Sequence, residues 1–222
     1  MSTIGKSLSE VPAINRFLTY CRVRTVPGKT VMIHAGDVPD SLYYIMDGSV
    51  EVMIEDEDGN EMVLAYLNKG QVFGELGPFH DQPARSAWVR TRSTAEIAEM
   101  TYARFRQIAS ESPGLVFELA TQLATRLDRT NRKLGDLAFV DVTGRVAHAI
   151  MDLCNEPDAM THPDGMQIKV SRQELSRLVG CSREMAGRVL KVLEEQGLIT
   201  ASGKTIVVFN ARPKPRLKAV GL

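Results

Sequence analysis

Residues 73–88 read FGELGPFHDQPARSAW. A Gly-Glu-Leu-Gly turn is followed, ten residues after the Glu75 carboxylate, by Arg85 and Ser86. The stretch therefore carries one anionic acceptor, one guanidinium, one hydroxyl and several unobstructed backbone N–H groups. Gly74 and Gly77 have no Cβ, so the backbone can come close to a ligand there. Arg85 can fork onto phosphate oxygens, and Glu75 can accept from a sugar hydroxyl. The set suits a small phosphate ester bearing a sugar. The competing reading is a surface loop in which Glu75 and Arg85 only pair with each other.

Around this stretch, residues 21–100 alternate short apolar or β-branched runs with turn signals such as Pro27-Gly28, Gly36-Asp37, Asp47-Gly48 and Asp58-Gly59-Asn60. That spacing predicts an antiparallel barrel or sandwich. Residues 50–54 and 62–67 flank an acidic Asp-Gly turn and predict a hairpin. The segment 74–86 then falls late in the β region, as a long connection capping the barrel. Ahead of it, residues 11–20 have a helical pattern with Ile14, Phe17 and Leu18 on one side, which reads as a lid helix.

A long helix follows. Ser112 can cap it and Pro113 suits its first turn. Val116, Ala120, Leu123, Leu127, Thr130, Leu134 and Leu137 recur at alternating spacings of four and three, a heptad seam of the kind that meets a twin. The nearby Arg126, Arg129, Arg132 and Lys133 argue against burial on all sides, so a homodimer is expected. Thr130 and Asn131 interrupt the seam with polar groups that can set register or reach a ligand.

The last third is helical and ends in strands. Residues 141–154 form an amphipathic pattern, and residues 160–165, MTHPDG, read as a turn. Ser171 and Glu174 form a capping box opening a short helix that stops at Gly180, and a second helix starts at Ser182. Two helices joined by about three residues fit a helix-turn-helix. Arg183, Glu184, Arg188 and Lys191 stand over the apolar Ala186, Val189, Leu190 and Leu193. Arginine can fork onto guanine and glutamate can accept from cytosine, while Ser171, Arg172, Gln173, Ser182 and Lys191 suit phosphates. Residues 198–209, folded at Ala201-Ser-Gly-Lys204, supply a wing.

The net charge of zero conceals a polarity: residues 1–140 carry 15 Lys and Arg against 18 Asp and Glu, whereas from Gln167 onward the count is 11 against 4. Without the tail cations Arg212, Lys214, Arg216 and Lys218 it is still 7 against 4, an electrostatic footprint for a phosphate backbone on one domain. No apolar run is long enough to span a bilayer and residues 1–10 lack a signal-peptide core, which predicts a cytoplasmic protein without a membrane partner. Cys21, Cys154 and Cys181 are odd in number and far apart, reading as free thiols rather than disulfides or metal ligands. His34, His80, His148 and His162 show no metal spacing and no nucleophile sits beside a base, so neither an enzyme nor a metal, haem or iron-sulfur site is expected.

With FGELG, RSAWVR, KLGDLAF, VDVTGRV, EPDAMTHPDGMQIKV, LVGCSREMAGRVLK and GKTIVVF in this order, the chain resembles the catabolite-activator (CRP/FNR) class of bacterial transcription regulators over nearly its whole length. The resemblance implies an α+β chain: a jelly-roll-like antiparallel β-barrel binding a cyclic nucleotide at residues 1–111, a long dimerisation helix and hinge at 112–140, and a C-terminal winged helix-turn-helix domain at 141–222. It implies cyclic AMP as allosteric ligand, on Gly74, Glu75, Leu76, Arg85, Ser86, Thr130 and Asn131. Double-stranded DNA with a two-fold symmetric site would be bound by Ser171, Arg172, Gln173, Ser182, Arg183, Glu184, Arg188, Lys191 and Lys204. It further implies contact with RNA polymerase through Thr161, His162 and Gly165 and through Arg22, Arg24 and Arg104. The chain departs from the family pattern at Pro78, His80, Asn131 and in the tail after Asn210. Cyclic di-GMP, which some relatives use, and activity without ligand are the alternatives.

Overall fold

The computed structural model describes residues 12–79 and 84–212, so Val11, His80 and the tail cations Lys214, Arg216 and Lys218 lie outside the described residues. The N-terminal strands are β1 (Arg22–Val26), β2 (Val31–Ile33), β3 (Ser41–Asp47), β4 (Ser49–Glu55), β5 (Glu61–Asn68), β6 (Val72–Phe73), β7 (Trp88–Thr91) and β8 (Ala95–Thr101). They form two antiparallel four-stranded sheets, ordered β1-β8-β3-β6 and β2-β7-β4-β5. The result is an open sandwich of jelly-roll type rather than a closed barrel. Ile33, Ile45, Val50, Phe73, Val89 and Ile97 fill its core, as expected when inward residues of two sheets interdigitate. The expected hairpin is β4 with β5, and Asp56 closes its turn by accepting from the Asp58 and Asn60 N–H groups at 3.0 and 2.8 Å.

The first helix, α1 (Pro12–Leu18), is not a lid. Ile14 and Phe17 are 0% and 1% exposed and belong to a second core cluster with Tyr44, Met100, Phe105 and Leu115. A further helix, α2 (Tyr102–Glu111), runs straight on from β8 and was not anticipated. Thr101 caps it, and Tyr102, Phe105 and Ile108, three residues apart, face the core. Ser112 ends α2, its N–H donating to the Ala109 carbonyl.

The long helix α3 spans Pro113–Phe139. Leu115 and Leu119, which lie outside the expected seam, pack into the core beneath the sandwich, and of the seam Leu123 is partly buried beside them. Further along, Leu127 and Leu134 are 62% and 64% exposed. The chain divides into two compact units, with the boundary between Arg129 and Thr130, inside α3.

The second unit contains α4 (Val142–Leu153), β9 (Met160–His162), β10 (Gly165–Lys169), α5 (Arg172–Val179), α6 (Arg183–Glu195), β11 (Ile199–Ser202) and β12 (Thr205–Phe209). Asp141 caps α4 by accepting from the Gly144 N–H at 2.8 Å. Residues 160–165 are more than a turn: β9 and β10 pair as a hairpin on the edge of a sheet ordered β11-β12-β10-β9. Val146, Ile150, Leu175, Leu190 and Ile206 are buried between the helices and this sheet. Burial pushes the Cys21 thiol up to about 12 and that of Cys154 to about 11, and all three cysteines are free.

Candidate functional site

In the first unit, β6 delivers Gly74 and Glu75, and β7 is preceded by Arg85 and Ser86. Residue 85 is held from both sides by the 34–40 loop: its N–H donates to the Asp37 carbonyl at 2.8 Å and its carbonyl accepts from the Gly36 N–H at 2.9 Å. Its guanidinium turns inward, with the side chain 9% exposed. Arg85 Nη1 donates to the Gly74 carbonyl at 3.1 Å and to the Tyr102 hydroxyl at 2.7 Å, and Nη2 donates to the Ser41 carbonyl at 2.7 Å. Tyr102 in turn donates to the Gly74 carbonyl at 2.6 Å. Burial pushes the Tyr102 phenol up, against the pull of Arg85, which keeps its proton available for that bond. Among the described residues, every hydrogen-bond partner of the Arg85 guanidinium is thus neutral. Asp40 lies 3.9 Å away and is 80% exposed, and so heavily screened by solvent. A shielded guanidinium held by neutral oxygens favours an arriving anion.

Glu75 does not pair with Arg85. Its carboxylate, 8% exposed, accepts from Arg126 Nη1 at 2.8 Å. Arg126 also bonds the Val72 carbonyl through Nη2, while its Nε is buried without a partner. Burial pulls this guanidinium down from its ordinary value and Glu75 pulls it back, and arginine remains protonated throughout. The sequence reading counted Arg126 among the charges that keep α3 from burial; it points inward instead. The missed signal is its spacing, seven residues after Leu119 and four after Gln122, on the core-facing row of the helix.

The glycines are required by close approach. Gly74 has φ +73, and a Cβ on it would lie 2.9 Å from Arg85 Nη1. A Cβ on Gly77 would lie 2.3 Å from Tyr102 Cε2, in a ring anchored by two hydrogen bonds. Gly77→Ala is expected to lower stability by about 1–3 kcal/mol through overpacking, read as a lower urea midpoint; an unchanged midpoint would contradict it. Leu76 and Ser86 are exposed at the rim. Thr130 and Asn131 are exposed on α3, Thr130 one helical turn beyond Arg126.

In the second unit, Ser171 accepts from the Glu174 N–H at 3.1 Å, and Ser182 from the Met185 N–H at 3.1 Å. Both hydroxyls therefore act as N-caps, which aligns α5 and α6. Gly180 ends α5 in the left-handed conformation, and three residues separate the helices. Ala186, Val189, Leu190 and Leu193 bury one face of α6. The opposite face opens on a shallow concavity lined by Arg172, Ser182, Arg183, Glu184, Arg188 and Lys191. Gln173 and Lys204 are exposed but do not line it. Glu194 Oε1 accepts from the Ala201 N–H at 3.0 Å, tying the wing to α6.

The remaining positions lie on the surface or close to it. Arg22 and Arg24 project from one face of β1, and Arg24 lies 3.8 Å from Glu99. Arg104 sits 4.0 Å over the Tyr20 ring. Thr161 is exposed on β9, and His162 and Gly165 flank the hairpin turn. Among the described residues no His, Cys, Asp or Glu group could hold a metal ion, and no helix is long and apolar enough to cross a membrane.

A sandwich with a sheltered arginine and glutamate, joined by a long helix to a winged helix-turn-helix, defines a ligand-responsive DNA-binding regulator. Residues 23–112 match the family model of the cyclic nucleotide-binding domain, and residues 168–199 that of bacterial regulatory proteins of the crp family. The chain is 51% identical over 209 residues to the cAMP-activated global transcriptional regulator CRP of Salmonella typhimurium, across 94% of this chain and 99% of that relative. It is 54% identical over 202 residues to the cAMP-activated global transcriptional regulator Vfr of Pseudomonas aeruginosa, across 90% and 94%. A solved structure, the c-di-GMP responsive global regulator CLP of Xanthomonas campestris, matches with a TM-score of 0.85 at 44% identity, across 89% of this chain and 98% of that one. The chain belongs to the crp family of bacterial regulatory proteins.

Proposed function

We propose that this protein is a cyclic AMP-responsive, sequence-specific DNA-binding transcription regulator, mainly an activator, working as a homodimer in the cytoplasm. The observation that carries the nucleotide reading is the Arg85 guanidinium, shielded from water and bonded, among the described residues, to the Gly74 and Ser41 carbonyls and the Tyr102 hydroxyl. A cyclic phosphate would meet that charge and the Ser86 hydroxyl. The ribose hydroxyl would meet Glu75, with Gly74 and Leu76 lining the approach, and the base is assigned to Thr130 and Asn131. The nucleotide-binding domain would be residues 1–111, the dimerisation helix and hinge 112–140, and the DNA-binding domain 141–222. The exposed Leu127 and Leu134 on α3 support the dimer, since a monomer would leave that stripe in water.

The alternative is cyclic di-GMP, the ligand that the CLP neighbour's name gives at 44% identity. The higher identity to regulators named as cAMP-activated, 51% and 54%, favours cyclic AMP. Calorimetry of the protein with cyclic AMP, cyclic GMP and cyclic di-GMP tests the assignment, and tight binding of cyclic di-GMP alone would replace it. No turnover is expected, so each nucleotide should be recovered intact.

On DNA, α6 would read bases in the major groove with Arg183, Glu184 and Arg188. Ser171, Arg172, Gln173, Ser182, Lys191 and the wing's Lys204 would hold phosphates. Arg188→Ala is expected to cost about 1–3 kcal/mol at one guanine and relax preference there, whereas Lys191→Ala should weaken all sequences alike. Equal losses on cognate and random DNA for both variants would refute this division. RNA polymerase would be contacted through Thr161, His162 and Gly165 and through Arg22, Arg24 and Arg104.

A further inference from the structure

β6 is the edge strand of its sheet, and an edge presents backbone groups that need partners. They are taken by α3 side chains one turn apart. Gln122 Nε2 donates to the Gly70 carbonyl at 2.9 Å, and Gln122 Oε1 accepts from the Val72 N–H at 3.1 Å. The bonded carbonyl and N–H lie one residue to either side of Gln71, the spacing that a parallel neighbouring strand would satisfy. The carboxamide thus stands in for a missing strand. Arg126 continues the row, bonding the Val72 carbonyl and then Glu75. Two residues after Val72 the same strand delivers Gly74 and Glu75.

We infer that Gln122 is a positioning residue that locks α3 to the Gly74–Glu75 turn and makes the helix follow that turn when ligand binds. The inference rests on the nucleotide-responsive reading above. A sugar hydroxyl reaching Glu75 competes with Arg126 for the carboxylate, so that part of the grip changes on binding. Gln122 makes its two shorter bonds to strand backbone and accepts a longer one, at 3.4 Å, from Arg126 Nη2; the backbone pair does not involve Glu75, so that grip persists in both states. A ligand shifts a conformational equilibrium only through contacts that differ between states, and such a difference reaches α3 only where the helix is held to the moving turn. α3 is continuous to Phe139, so a displacement imposed at Gln122 acts on the same helix that continues to Phe139.

The test compares wild type with Gln122→Leu, which keeps size and loses both bonds, and with Gln122→Glu, which keeps the acceptor and loses the donor to Gly70. Three quantities are measured on the full chain: cyclic AMP affinity by calorimetry, hydrogen exchange at the Val72 amide, and operator affinity by fluorescence anisotropy with and without cyclic AMP. The operator is a site selected from random DNA by the wild-type protein. In Gln122→Leu, Val72 exchange is expected to accelerate about tenfold or more and cyclic AMP affinity to stay within about threefold. The nucleotide-dependent gain in operator affinity should shrink about tenfold or more. Gln122→Glu should keep Val72 protected yet lose part of the gain, because its carboxylate faces the Gly70 carbonyl. A merely structural residue would lower the melting temperature and leave the gain at its wild-type value, which overturns the inference, as does wild-type Val72 exchange in Gln122→Leu. If wild type itself shows no gain with cyclic AMP, the proposed function fails and the inference falls with it.

Discussion

Arg85→Leu will abolish cyclic nucleotide binding while leaving the chain folded. Arg85 is the only lysine or arginine in residues 73–88, and its side chain is 9% exposed, so a phosphate beside it would lose a poorly hydrated, charge-assisted partner. Truncating one member of such a pair costs about 2–5 kcal/mol, an affinity loss of about 30-fold to several thousand-fold. Folding should survive, because Tyr102 keeps its own bond to the Gly74 carbonyl. The Ser41 and Gly74 carbonyls lose a donor, at about 1–3 kcal/mol. Calorimetry measures the first effect, and circular dichroism with size-exclusion chromatography the second. Unchanged affinity would remove the phosphate from this arginine.

Arg126→Met will destabilise the first unit more than any surface change. It leaves the Glu75 carboxylate, 8% exposed, without the guanidinium 2.8 Å away, and removes the donor to the Val72 carbonyl. Breaking a buried pair by deleting one partner typically costs about 3–5 kcal/mol. Arg126 Nε is already unpartnered in the wild-type chain, so the net worth of the pair is smaller than the cost of halving it. A double variant, Glu75→Gln with Arg126→Met, should therefore recover part of the loss. Urea unfolding of wild type, the single variant and the double variant checks this, and a deficit unaffected by Glu75→Gln would show that the pair contributes nothing.

Much of the second unit was legible because its signals are local. Ser171, Gly180 and Ser182 act within one helical turn of themselves, and the cap, the left-handed stop and the next cap lie where those residue types predict. The Asp56 to Asn60 turn is legible for the same reason. The basic excess after Gln167 likewise anticipates the cluster of Arg172, Arg183, Arg188 and Lys191. Spacing alone was enough to mark Glu75 and Arg85, but not to say with what each is paired.

Their partners come from far along the chain: Tyr102, Ser41 and Asp40 for Arg85, and Arg126 for Glu75. The lid reading of α1 failed because an apolar stripe does not say which core it joins. α2 escaped notice because no glycine or proline separates it from β8. On α3, the rows Leu115, Leu119, Gln122, Arg126 and Val116, Ala120, Leu123, Leu127 are offset by a single residue, roughly 100° around the helix. The second row is apolar throughout, whereas the first ends in Gln122 and Arg126. The sequence determined by itself that α3 is long and two-sided. Only the tertiary structure decided which row faces the sandwich, because the free edge of β6 needs hydrogen-bond partners that Gln122 and Arg126 can supply and leucines cannot.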